Sequence, residues 1–162
     1  MWKPNKTWTK RIRDWLPRKT ERLMKETHFE NHAVRPNPGA GIKKILLVDD
    51  SSTSRMTSRM LLAGHESYVL TSACDGKEGV EKALAELPNL ILMDIEMPRM
   101  NGIEACRLLK QNETTKNIPI VLLTMRGEET FVRQGYASGC SDFLTKPVNE
   151  QKLAMVIKKY LG

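Results

Sequence analysis

From residue 43 onward, short apolar runs alternate with longer stretches whose apolar residues recur every three or four positions. The runs are KKILLV (43–48), SYVLTSA (67–73), NLILM (89–93), IPIVLLT (118–124) and DFLT (142–145). Near-continuous apolar character in the first, third and fourth predicts central strands covered on both faces. The intervening stretches, residues 52–64, 75–87, 103–111, 128–137 and 149–161, carry helical spacing, and Ser51, Asp75, Asn101 and Asn149 stand where caps belong. Such alternation predicts an α/β fold: five βα units wound through right-handed crossovers into a three-layer, doubly wound parallel sheet.

Composition divides the chain in two. Its 162 residues, 40% of them hydrophobic, suffice for one ordinary core and not two. Residues 1–40 hold 10 Lys/Arg against 4 Asp/Glu, whereas residues 41–162 hold 16 against 15, so the net charge of +7 belongs to the leader. Trp2, Trp8 and Trp15 also lie there. AVRPNPGAG (33–41) reads as a Pro/Gly linker, giving a leader over residues 1–40 and a folded domain over 41–162. Within the leader, TWTKRIRDWL (7–16) places Trp8, Ile12, Trp15 and Leu16 on one helical face before Pro17. A basic amphipathic segment of this kind suits a protein groove, an anionic membrane surface or nucleic acid, the protein partner first; the bland alternative is a solvated stretch too short to hold a helix alone.

Several chemistries are disfavoured. Cys74, Cys106 and Cys140 are widely separated and odd in number, which points to reduced thiols rather than a disulfide framework. No apolar run approaches the roughly 18 residues of a membrane span, so a soluble, cytoplasmic protein is expected. His28 and His32 do not form HExxH, and GAGIKK (39–44) lacks P-loop spacing.

In a doubly wound sheet, sites form beyond the carboxyl ends of the strands. Here the first strand ends in Asp49-Asp50, the third in Asp94, the fourth in Thr124, and the fifth leads into Lys146-Pro147. Each alone suits a cap or a turn. Together, three carboxylates on one rim repel one another unless a cation intervenes, and hard oxygen donors favour Mg²⁺. Asp94, at the tip of the most central strand, is the natural nucleophile for phosphorus, and Asp49 and Asp50 are placed to anchor the metal.

VDDS (48–51), LILMDIEMPRMNG (90–102), LLTM (122–125) and DFLTKP (142–147), in this order and at these separations, resemble the receiver domain of two-component response regulators. The resemblance covers residues 42–162. It implies a flavodoxin-like sheet of strand order 2-1-3-4-5. It also implies that Asp94 accepts a phosphoryl group from a histidine kinase or phosphotransfer protein. Asp49, Asp50, Asp94 and the backbone carbonyl of Glu96 would hold Mg²⁺, and Lys146 would pair with the phosphoryl oxygens. Thr124 and Phe143 would form the switch, and Lys146-Pro147 would be cis. The implied readout is a protein-binding face made of the fourth helix, fifth strand and fifth helix. Met125, where a small residue is common, would narrow access, while Glu96 and Arg126 occupy positions that tune hydrolysis of the aspartyl phosphate.

Two other readings compete. Haloacid-dehalogenase-type phosphatases share the strand-end Asp, the Thr or Ser, the Lys and Mg²⁺, but place their nucleophile on the first strand. A non-phosphorylated receiver-like interaction module is disfavoured because every expected polar residue is present. With no helix-turn-helix in the leader and no output domain expected after Gly162, nucleic acid is an unlikely partner.

Overall fold

A computed structural model describes residues 42–62, 68–125 and 129–162. The leader, with its Trp face and His28/His32, lies outside the described residues, as do Arg126 and Glu128. Five strands, β1 (Lys43–Val48), β2 (Tyr68–Ala73), β3 (Leu90–Asp94), β4 (Ile120–Thr124) and β5 (Asp142–Thr145), alternate with helices α1 (Ser52–Leu62), α2 (Gly76–Glu86), α3 (Gly102–Gln111), α4 (Glu129–Ala137) and α5 (Glu150–Leu161). The strands form one parallel sheet in the order β2-β1-β3-β4-β5, as expected.

Burial follows the apolar pattern. All residues of β3 and β4 and the last four of β1 are buried, whereas the edge strands β2 and β5 are only partly covered. Alternate residues divide between the two faces. Ile45, Leu47, Leu90, Leu92, Val121 and Leu123 meet Leu62 of α1 and Leu153, Val156, Ile157 and Leu161 of α5. On the opposite face, Gly79 of α2 packs on Val48 and Gly135 of α4 packs on Leu122.

Observed boundaries depart from the pattern at a few places. β3 runs one residue further than NLILM, taking in Asp94, because Asp94 pairs with Leu123 of β4. β4 begins at Ile120 rather than at residue 118, since Ile118 N–H closes a turn on the Thr115 carbonyl and Pro119 has no N–H for the ladder. All four expected caps are in place: Ser51 Oγ accepts from Ser54 N–H at 3.2 Å, and Asp75, Asn101 and Asn149 each accept from the backbone N–H three residues on.

One contact near α2 carries a pH signature. Glu78 accepts the Cys74 N–H at 2.8 Å and pairs with Lys82 at 2.8 Å. Hydrogen bonding with Cys74, then with Lys82, holds its carboxyl down at about 2 against an ordinary 4.5. A carboxylate depressed in this way stabilises the fold above its unfolded pKa, and that stability is lost as pH falls through the folded one. Solvent screening of the half-exposed pair limits the contribution to about 1 kcal/mol. Urea denaturation of Glu78→Gln and the unaltered chain should therefore differ by that amount at neutral pH and converge as pH drops from about 4.5 to about 2.

Candidate functional site

Every polar residue singled out at the strand ends arrives at the carboxyl rim of the sheet. Asp49 follows β1 directly and is only 1% exposed. Its backbone N–H still donates to Ala73 O of β2 at 3.2 Å, so the ladder carries the residue to the rim. One carboxylate oxygen, Oδ1, accepts Ser51 N–H at 2.8 Å, and Oδ2 accepts Lys146 Nζ at 3.2 Å. Asp50, next in the chain, is exposed. Asp94 ends β3, is 7% exposed, and accepts Glu96 N–H at 3.4 Å through Oδ1 and Lys146 Nζ at 2.5 Å through Oδ2. Ligand oxygens of Asp49, Asp50 and Asp94 all lie within 4.8 Å of one another.

Lys146 starts from the far edge of this arrangement. Its N–H donates to the Thr124 carbonyl at 2.8 Å, extending the β4–β5 pairing, and the peptide to Pro147 is cis. The side chain then passes β4 to reach carboxylates on β3 and at the end of β1. Thr124, at the tip of β4, is buried and donates its hydroxyl to the Met125 carbonyl at 3.2 Å. Glu96 is exposed, as is Met125, at 53%.

Among the described residues, one ammonium serves two buried carboxylates, which leaves their charge only partly balanced. Burial raises the Asp94 pKa first, Lys146 opposes that rise, and the nearby charge of Asp49 adds to it; the net direction is upward. For Lys146, burial pulls the pKa down, but the hydrogen bond and charge of Asp94, with those of Asp49, outweigh it and hold the ammonium above the ordinary lysine value. Both directions follow from one geometry: the lysine has two anions to itself, while Asp94 has half a lysine.

These donors fit Mg²⁺. They are oxygen atoms only, three of them converge within coordination reach, and their summed charge exceeds what Lys146 neutralises. A second group, Cys74, Asp75 and Glu78, also converges, but guanidinium and ammonium groups from Arg99 and Lys82 already pair with its carboxylates.

Phe143 sits in β5 opposite Leu122, half-buried under α4. Its ring meets Tyr136 edge-on, with centroids 4.9 Å apart and planes at 68°. Gly135 makes room for it: a Cβ there would lie 2.4 Å from Phe143 Cζ. Pattern reading missed Gly135, and also Arg55, whose Nη1 donates to the Asp49 carbonyl at 2.6 Å. An arginine in a polar helix face gives no signal of a backbone partner six residues back.

Residues 45–158 match the model of the response regulator receiver domain. The chain belongs to the response regulator receiver family. Protein PilH of Pseudomonas aeruginosa is 40% identical over 119 residues, a match covering 74% of this chain and 98% of PilH. Among solved structures, chemotaxis protein CheY4 of Vibrio cholerae superposes with a TM-score of 0.69 at 29% identity, covering 74% of this chain and 99% of CheY4. The receiver domain of sensor histidine kinase PA1611 from Pseudomonas aeruginosa, solved with a magnesium ion coordinated in its active-site cleft, gives a TM-score of 0.68 at 28% identity over 76% of this chain and 99% of that one. This receiver is thus a phosphoacceptor response regulator of two-component signalling. No described helix is long and apolar enough to cross a membrane.

Proposed function

We propose that Asp94 is the phosphoacceptor and that the reaction depends on Mg²⁺ held by Asp49, Asp50, Asp94 and the Glu96 carbonyl. The observation that supports this most is the convergence of three carboxylates around a lysine that can neutralise only part of their charge. When bound, Mg²⁺ supplies the missing positive charge and offsets the charge developing on the phosphoryl oxygens.

Asp94 attacks the phosphorus of a phosphohistidine on a histidine kinase or phosphotransfer protein. An O–P bond forms, the N–P bond breaks, and the departing imidazole keeps the electron pair and takes up a proton from solvent. Lys146, already on Asp94 Oδ2, follows the negative charge onto the new phosphoryl group. Thr124 turns its hydroxyl from the Met125 carbonyl toward that group, and Phe143 moves into the space vacated. The altered surface of α4, β5 and α5 then engages a downstream protein target.

The chain is consumed and reset rather than turning over a substrate: it catalyses only its own phosphoryl transfer and slow dephosphorylation. Residues 41–162 are the receiver and residues 1–40 a leader that binds a second protein partner or an anionic membrane surface, in the cytoplasm.

Incubation of the full chain with acetyl phosphate and MgCl₂ should add one phosphoryl group per chain by intact mass, and chelation with EDTA should remove the labelling. Labelling that persists without a divalent cation overturns the metal assignment. Repeated hydrolysis of a phosphate ester overturns the phosphoacceptor reading in favour of a phosphatase.

A further inference from the structure

Beyond the rim, the loop between β3 and α3 is tied to the turn before α2. We infer that Asp75 and Arg99 form a clamp that positions this loop, and with it the Glu96 carbonyl, for the metal site. The inference rests on the Mg²⁺ reading above.

At the far end of the loop, Arg99 Nη2 pairs with Asp75 Oδ2. Asp75 is almost fully buried, and its other oxygen, Oδ1, accepts Glu78 N–H at 2.9 Å as the cap of α2. The carboxylate is therefore anchored to a helix terminus on one side and grips the loop on the other. The backbone repeats the tie next door: Gly76 N–H donates to the Met100 carbonyl at 3.2 Å, and a Cβ on Gly76 would lie 2.4 Å from that oxygen.

Arg99 itself has a φ of 66°, a conformation that costs a side-chain-bearing residue energy and that glycine adopts freely. A long cationic side chain at such a position makes sense where it delivers its head group to a fixed partner. The near end of the loop is held by the site: Glu96 N–H donates to Asp94 Oδ1 at 3.4 Å, and Gly102 N–H donates to the Ile95 carbonyl at 2.9 Å. Glu96 thus lies between two fixed ends, one of which is the Asp75–Arg99 pair. Neither residue touches the reacting atoms, so both are positioning residues.

Two variants separate positioning from folding. Asp75→Asn keeps a capping oxygen but loses the ion pair, and asparagine caps as well as aspartate. Arg99→Gly loses the ion pair but relieves the left-handed backbone. Mg²⁺ titrations of the isotope-labelled full chain, read by amide NMR shifts of Asp50, Asp94 and Glu96 without any phosphodonor, measure metal affinity alone.

The expected result is an Mg²⁺ dissociation constant raised about tenfold in each variant, at little change in melting temperature. The double variant should be no weaker than either single, because one contact carries the effect. Arg99→Lys should recover part of the loss. Unchanged affinity in both variants, or losses that add in the double variant, overturns the clamp while leaving the metal site intact. A wild-type chain whose rim amides do not respond to Mg²⁺ overturns the clamp and the metal reading together.

Discussion

Replacing Asp94 with asparagine is expected to lower phosphoryl labelling by at least about a thousandfold, since a carboxamide oxygen is neither an anion nor a competent nucleophile toward phosphorus. Folding should survive. The amide oxygen can still accept Lys146 Nζ, and the substitution removes one of three mutually repelling carboxylates, one whose burial already raises its pKa. Thermal melts of Asp94→Asn should therefore stay within about 1 kcal/mol of the unaltered chain. Labelling assigned by peptide mass mapping decides the matter: phosphoryl transfer that continues in Asp94→Asn, or that maps to Asp49 or Asp50, would falsify the assignment.

Gly102→Ala should be the most damaging glycine-to-alanine change among the described residues, at about 3 kcal/mol or more. A Cβ on Gly102 would stand 2.0 Å from the Asp94 carbonyl oxygen, 2.9 Å from its carbon and 3.1 Å from Ile95 Cα. All three are backbone atoms at the end of a buried central strand, so no side-chain rotation relieves the collision. Asn101→Ala, one residue earlier, is the control. It removes a capping box in which Asn101 Oδ1 accepts Glu104 N–H at 2.9 Å, a loss of about 1 kcal/mol. Urea denaturation of the two variants should separate them clearly; equal losses would mean that the strand end yields and that its position is less constrained than the packing implies.

The Asn101-Gly102 pair also shows where sequence reading stops. As a dipeptide it signals a turn, and the cap was legible from Asn101 standing before a helical pattern. The reason for glycine was not. Gly102 is absent from the described residues with positive φ, so its role is close approach to the backbone of Asp94 rather than conformational freedom. Arg99, three residues before Gly102 in the same motif, reads as a solvated turn residue, yet its guanidinium meets the buried Asp75 of another loop. Gly135 reads as a poor helix residue, yet it is the gap that admits Phe143.

Strand identity, helix identity and the polar residues at strand ends could be read from the chain because each depends on periods of two to four residues, and burial of a two-sided strand leaves an unbroken apolar run. The rim carboxylates could be nominated for the same reason, as residues that interrupt such runs. Tertiary structure alone decided how they share a cation: Lys146 lies 52 residues from Asp94 and 97 from Asp49, and only the sheet order β2-β1-β3-β4-β5 brings its ammonium across β4 to both. Contacts over such separations depend on which atoms the packed backbone brings within a few ångströms, and no local period encodes that distance.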